Sequence, residues 1–154
     1  MGTAASNGRP RIVVLVGLPG SGKSYYAGKH RLPVLSSDDI RGLLADDPND
    51  QSIHHRVFFT LRYLLRQRLE LHRPVTCIDA TNLIPRERRA YIKMGEFYGC
   101  AVEAILFDVP VEVCLERNRK RARIVPEDVV RRMAAKLVPP TVEEGFACVT
   151  VVRE

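Results

Sequence analysis

The chain predicts an α/β fold in which a central parallel five-stranded sheet carries helices on both faces. Three observations predict it. Short apolar runs alternate with longer segments of helical periodicity, which is the pattern of repeated βα units. The first run, Ile12-Val13-Val14-Leu15-Val16, passes directly into Gly17-Leu18-Pro19-Gly20-Ser21-Gly22-Lys23-Ser24, a tight turn opening a helix. A length of 154 residues with 45% hydrophobic content suits one well-filled core.

The strands fall near 11–17, 33–36, 75–79, 101–107 and 147–152, each a short apolar run of the kind that parallel strands buried on both faces require. Helices are predicted near 22–30, 38–45, 52–72, 85–98, 111–122 and 126–137, with a further turn at 141–145. The first must begin at Lys23, where the glycine-rich turn ends. The second is capped by Ser37 or Asp38, whose side chains can accept from the free amides of the first turn. In the third, Ile53, Val57, Leu61, Leu64, Leu65 and Leu69 line one face, which places Arg56, Arg62, Arg66 and Arg68 toward solvent. The fourth opens on a charged turn holding Arg86, Arg88 and Arg89. Leu115 to Arg123 is too basic to pack as a core helix throughout. Residues 1–10 read as a disordered leader and 11–154 as one domain, with a lid around 117–127.

A net charge of +6, carried more by Arg than by Lys, suits a polyanionic substrate, because guanidinium groups fork onto phosphate. Cys77, Cys100, Cys114 and Cys148 show no CxxC or zinc spacing and sit in apolar runs, so they read as reduced, buried thiols. No stretch is apolar enough to span a bilayer, and Met1 to Pro10 lacks the apolar core of a secretory signal. The expectation is a cytoplasmic protein without membrane partners, and homodimer formation is left open.

Chemistry concentrates after the strands, where open parallel sheets gather their ligands. Gly17 to Ser24 has the spacing of a phosphate-binding loop. The loop runs from Gly17, Leu18, Pro19, Gly20, Ser21, Gly22, Lys23 and Ser24 into Tyr25, and its free amides converge on phosphate oxygens. Lys23 offsets β/γ-phosphate charge and the Ser24 hydroxyl suits Mg²⁺, so ATP or GTP is the expected ligand. Transfer to a hydroxyl further needs a carboxylate near the attacking oxygen and cations around the moving phosphoryl group. Asp38 is the candidate base, with Arg41 three residues on and on the same side of a short helix. Asp79 closes its strand beside the loop and either holds Mg²⁺ or bonds loop amides or an arginine. Asn82 either orients substrate or makes a turn. Arg117 and Arg121 are i,i+4 neighbours, suited to a lid that closes on the donor phosphates.

Taken in order, Gly17 to Ser24, Ser37-Asp38-Asp39-Ile40-Arg41, Asp46 to Gln51, Asp79-Ala80-Thr81-Asn82 and Glu116-Arg117-Asn118 through Arg121 resemble the polynucleotide 5′-hydroxyl kinase family. The likeness is to the kinase module of bacterial RNA end-healing and repair enzymes, and it runs from about Arg11 to the last strand. It implies a P-loop kinase fold and transfer of the ATP γ-phosphate to the 5′-OH of RNA or DNA with Mg²⁺. It further implies phosphate and metal contacts by Lys23 and Ser24, activation of the 5′-OH by Asp38, engagement of the acceptor by Arg41, and donor contacts by Arg117 and Arg121. Asp79 matches an active-site position, and Gln51 falls in a segment that contacts nucleotide. The chain departs from those enzymes in lacking an Asp-x-Asp-Gly phosphatase motif, so the expectation is a free-standing kinase or one domain of a larger repair enzyme.

Two other functions share the motifs. A small-molecule kinase for sugars, nucleosides or antibiotics would enclose its acceptor, whereas an oligonucleotide kinase needs an open basic wall, for which Arg41, Arg86, Arg88 and Arg89 are candidates. A non-catalytic ATP-dependent binding module would need no base at Asp38.

Overall fold

The structure, a computed structural model, describes residues 9–153, so nearly all of the expected leader lies outside the described residues. Strands β1 (Arg11–Val16), β2 (Val34–Ser36), β3 (Val75–Asp79), β4 (Ala101–Phe107) and β5 (Cys148–Val152) form one parallel sheet in the order β2-β3-β1-β4-β5. The helices are α1 (Lys23–Lys29), α2 (Ser37–Ala45), α3 (His54–Glu70), α4 (Pro85–Tyr98), α5 (Val111–Arg119) and α6 (Glu127–Lys136).

β1 is central, and the two-residue alternation of its side chains feeds two apolar layers. Ile12, Val14 and Val16 join Val57, Leu61, Leu65 and Leu69 of α3 and Tyr91 and Ile92 of α4. Val13 and Leu15 join Ala27 of α1 together with Cys77, Ile105 and Phe107. The α3 stripe repeats every fourth residue; truncating a leucine as enclosed as Leu65 costs about 2–5 kcal/mol. Leu64 falls off that stripe and is 37% exposed.

Helix ends differ from the sequence pattern where side chains compete for the backbone. α2 is capped by Ser36, whose hydroxyl accepts from the Asp39 amide at 3.2 Å, and neither Ser37 nor Asp38 is the cap. The helix expected to run to residue 122 stops at Arg119. There the buried Asn118 carboxamide donates to the Val125 carbonyl at 2.6 Å and accepts from its amide at 3.1 Å, closing residues 118–125 into a loop. The stretch expected to begin a helix at 52 opens on a single 3₁₀ turn, Gln51–Ile53, and the turn near 141–145 is likewise 3₁₀, Val142–Glu144.

Three side-chain expectations are corrected. Arg88 is fully buried: Nε and Nη2 donate to the Glu144 carboxylate at 3.0 and 2.8 Å, and Nη1 donates to the carbonyls of Asn82 and Val138, both at 2.9 Å. It fastens the C-terminal turn to the sheet and cannot line a channel. Arg68 is half-buried, donating to Thr76 Oγ1 at 2.8 Å and the Val75 carbonyl at 2.9 Å. All four cysteines are free thiols, but only Cys77 and Cys114 are buried; Cys148 is exposed because β5 is an edge strand. Among the described residues no helix is long and apolar enough to cross a membrane.

Candidate active site

β1 sits between β3 and β4, so the loop that leaves its carboxyl end opens at the centre of the sheet, where such folds place ligands. The loop Gly17–Gly22 is held there from both sides. The Gly17 amide donates to the Thr81 carbonyl at 3.1 Å, tying the loop to the end of β3. Gly20 has φ +83°, and a Cβ there would collide with the Cys114 carbonyl of α5. Only glycine meets both demands. Gly22, at φ +103°, caps α1 without a side chain, leaving the amides of the first turn aimed into the cleft.

Lys23 is buried beneath this loop, its amine donating to the Gly17 carbonyl at 3.0 Å and the Leu18 carbonyl at 2.9 Å. Burial lowers its pKa from 10.5 to about 8, a displacement that the nearby Asp79 carboxylate opposes. A phosphate placed over the loop supplies the anionic partner that this buried amine otherwise has only in part.

The Ser24 hydroxyl donates to Asp79 Oδ2 at 2.7 Å, joining the start of α1 to the end of β3. Among the described residues no cluster of three or more His, Cys, Asp or Glu side chains forms a metal nest. One hydroxyl with one carboxylate beside a phosphate loop fits Mg²⁺, which takes most of its ligands from water and phosphate oxygens, and fits a caged Ca²⁺ or Zn²⁺ poorly.

Opposite the loop, the register Ser36 to Asp79 sets the ends of β2 and β3 side by side, so the first turn of α2 projects Asp38 over the cleft. Asp38 Oδ2 lies 3.2 Å from Arg123 Nη1 and 3.8 Å from Arg121 Nη2, both on the segment between α5 and α6. Arg123 Nε also donates to Asn49 Oδ1 at 2.8 Å, so the segment between α5 and α6 touches the opposite wall of the cleft at two points. Arg41 is only 4% exposed; its Nη1 makes a long bond of 3.4 Å to the Asp50 carbonyl. Burial pulls its pKa below the usual arginine value while Asp38 pushes it back. Two guanidinium nitrogens here, Arg41 Nε and Arg121 Nη1, are buried without a hydrogen-bond partner. Such atoms are expensive unless a ligand satisfies them.

These groups share one cleft of about 1580 Å³. Of the residues singled out from sequence, Pro19 through Tyr25, Asp38, Arg41, Gln51, Asp79, Arg117 and Arg121 line it. Arg117 reaches the loop itself: a Cβ on Gly22 would stand 3.6 Å from its Nη1. Gly17 and Leu18 lie behind the wall, where Leu18 packs with Leu83, Val109 and Cys114. Asn82 is also behind it, in the left-handed conformation at φ 49°, donating to the Leu15 carbonyl at 2.8 Å. There it shapes the turn after β3. Sequence reasoning missed Arg123 and Asn49. The basic run announced Arg123, but spacing cannot say which guanidinium of an irregular loop turns back toward α2.

A strand, a glycine loop closing on a buried lysine, a hydroxyl–carboxylate pair and an arginine lid facing a carboxylate across the cleft together define a P-loop phosphotransferase of the kinase type. Its lineage is equally plain: residues 12–140 match the AAA domain model, and the chain belongs to that family. Among solved structures it is similar to a chain of the Pnkp1/Rnl/Hen1 RNA repair complex, with a TM-score of 0.73 and 21% identity over 84% of this chain and 44% of that one. The chain thus spans less than half the length of that relative. It is also similar to a gluconokinase from Sinorhizobium meliloti 1021 (TM-score 0.58, 19% identity, 94% of this chain and 82% of that one). A third likeness is to the Mycobacterium tuberculosis APS kinase CysC in complex with AMPPNP and APS (TM-score 0.58, 18% identity, 93% and 88%). At these identities the likeness establishes the fold, which these proteins combine with different acceptors.

Proposed function

We propose that this chain is an ATP-dependent polynucleotide 5′-hydroxyl kinase, moving the γ-phosphate of ATP onto the 5′-OH of RNA or DNA. The observation that carries this is the pairing of Asp38 with the buried, partly unpartnered guanidinium of Arg41 on the wall facing the phosphate loop. A carboxylate accepts the proton of a hydroxyl; a desolvated guanidinium one turn away calls for an anion covalently close to it. The 5′-terminal nucleotide of a polynucleotide carries both groups, since a phosphodiester follows its 5′-hydroxyl across one ribose.

In this reading the loop amides and Lys23 hold the donor phosphates, while Arg117 and Arg121 offset charge on the phosphoryl group in flight. Asp38 orients the 5′-oxygen and takes its proton as the new O–P bond forms and the bond to the ADP oxygen breaks. Ser24 and Asp79 would hold Mg²⁺, which would supply charge neutralisation on the donor phosphates. The cleft of about 1580 Å³ spans the phosphate loop and the wall that carries Asp38 and Arg41, so donor and acceptor share one continuous space.

The test is transfer of labelled γ-phosphate to matched 5′-OH RNA, 5′-OH DNA, mononucleosides, gluconate and adenylyl sulfate. Labelling of the oligonucleotides is expected. Labelling confined to a small molecule would overturn the proposal, as would ATP binding without transfer to any acceptor.

A further inference from the structure

The acceptor end of the cleft does not stop at Asp38 and Arg41. His54 and Phe58, on the first turns of α3, line the main cleft and also a second cavity of about 260 Å³, and Thr81 at the end of β3 is shared in the same way. The second cavity runs on between α3 and α4, with Arg62 on one wall and Arg86 and Tyr91 on the other. Its volume falls below the roughly 300 Å³ at which whole-ligand pockets begin, so it is an extension of the larger site.

Its chemistry differs from that of the donor half. The His54 and Phe58 rings lie 4.8 Å apart and tilted by 45°, giving an aromatic floor where the two cavities meet. Neither Arg62 nor Arg86 has an ion-pair partner among the described residues, in contrast to the neighbouring Arg88 of α4, whose guanidinium is fully consumed by Glu144 and two carbonyls. The one acid on these walls, Glu87, turns its Oε1 to accept from the Leu83 amide at 2.8 Å. An aromatic floor with uncommitted guanidinium groups alongside is how single-stranded nucleic acid is held, by stacking on any base and attraction for any phosphate.

We propose that the cavity between α3 and α4 is the subsite for the second acceptor nucleotide, whose base stacks on Phe58 and His54 and whose 3′-phosphate, the one after that met by Arg41, is met by Arg62 and Arg86. This rests on the polynucleotide kinase reading and adds the path of the strand: past Asp38, over Arg41, and out across the face of α3. An acceptor that ends at its first nucleotide leaves this subsite unused.

The experiment compares four 5′-OH acceptors: a nucleoside 3′-phosphate, a dinucleotide carrying a 3′-phosphate, a hexanucleotide, and that hexanucleotide with an abasic second position. KM is expected to drop about tenfold from the nucleoside 3′-phosphate to the dinucleotide, and the abasic acceptor to lose about fivefold or more of kcat/KM. The double variant Arg62→Gln/Arg86→Gln should raise KM for the dinucleotide and hexanucleotide about tenfold while leaving the nucleoside 3′-phosphate within about twofold. Phe58→Ala should penalise the intact hexanucleotide but not the abasic one, a substrate-side comparison that does not depend on how well the variant folds. The subsite is overturned if oligonucleotides are phosphorylated with KM independent of length, or if the double variant weakens the nucleoside 3′-phosphate equally. Failure to label any oligonucleotide, with gluconate or adenylyl sulfate labelled instead, overturns the parent reading as well.

Discussion

Lys23 is the group whose titration reports most directly on the donor half of the site. Burial sets its pKa near 8 in the protein against 10.5 in an unfolded chain; Asp79 opposes that displacement, Arg121 adds to it and Asp38 opposes it. A bound triphosphate restores the ammonium form. ATP affinity should therefore fall as pH rises above about 8, by close to tenfold per pH unit until the amine of the complex itself titrates. At about pH 8.5 roughly three-quarters of the amine is neutral, so binding one ATP should take up roughly 0.8 of a proton. Isothermal titration in buffers of different ionisation enthalpy measures this uptake directly. Lys23→Met should abolish it. Negligible uptake in the wild type, with a flat Kd from about pH 7.5 to 9.5, would refute the buried-lysine account. The same displacement acts on stability. The unfolded chain binds more protons than the folded one between about pH 8 and 10.5, so this term raises stability with pH across that window. Below pH 8 the buried charge costs roughly 3 kcal/mol, offset by two hydrogen bonds to the Gly17 and Leu18 carbonyls worth about 1 kcal/mol each. Cys77, whose thiol burial pushes up to about 12, works the other way above pH 9. Comparing wild type with Lys23→Met isolates the lysine: the variant should be about 1 kcal/mol more stable at neutral pH, with the sign reversing toward pH 10.5.

Asp38→Asn should lower single-turnover transfer by about 10²–10⁴-fold while leaving the ATP Kd within about threefold, as loss of a general base requires; near-normal transfer would remove Asp38 from that role. Arg123→Ala breaks a part-exposed pair with Asp38, worth about 0.2–1 kcal/mol, and the hydrogen bond to Asn49, worth about 0.5–1.5 kcal/mol, so steady-state kinetics should show acceptor KM rising by no more than about seventyfold. Glu144→Gln leaves the fully buried Arg88 charge uncompensated and should cost about 3–5 kcal/mol, a Tm loss of about 6–20 °C by scanning calorimetry. Because that pair lies away from the cleft, turnover measured well below the new Tm should be unchanged.

What could be read from sequence was whatever depends on neighbours in the chain. The strand–loop–helix around Lys23 is local: apolar residues, three glycines and a hydroxyl at fixed spacing leave the backbone few alternatives. Five strands and six helices could be placed for the same reason, to within a few residues at most ends. Arg86, Arg88 and Arg89 mark the boundary of that method. Adjacent in sequence and alike in chemistry, they differ because successive helix positions rotate by about 100° and because Glu144 arrives from 56 residues further on to claim one of them. Arg123 escaped for the same reason, since its partners are set by the path of a loop, whereas the Ser36 cap is local to Asp39 and was misplaced because α2 starts one residue earlier than expected. Cys148 was read as buried from an apolar run, but β5 is the last strand of the sheet and has no neighbour beyond it.

The lid has a consequence that none of its residues has alone. At one end α5 is pinned to the phosphate loop, because Gly20 lies so close to the Cys114 carbonyl that no side chain fits between them. At the other end Arg121 and Arg123 reach Asp38 and Asn49 on the acceptor wall, and the Asn118–Val125 hydrogen bonds fix the length of the loop that joins the two. One short segment therefore sets the spacing between the donor loop and the carboxylate opposite, the distance on which in-line transfer depends. Lengthening the 118–125 loop by one residue would change that spacing with every side chain of the cleft retained, so its effect should fall on kcat and leave ATP affinity nearly unchanged. Substitutions at Arg62 and Arg86, beyond this frame, should alter which acceptors are taken up and leave the rate of transfer alone. On the polynucleotide kinase reading, rate and acceptor choice are thus expected to fall to separate parts of the chain, and measuring kcat and acceptor KM on the two sets of variants tests this.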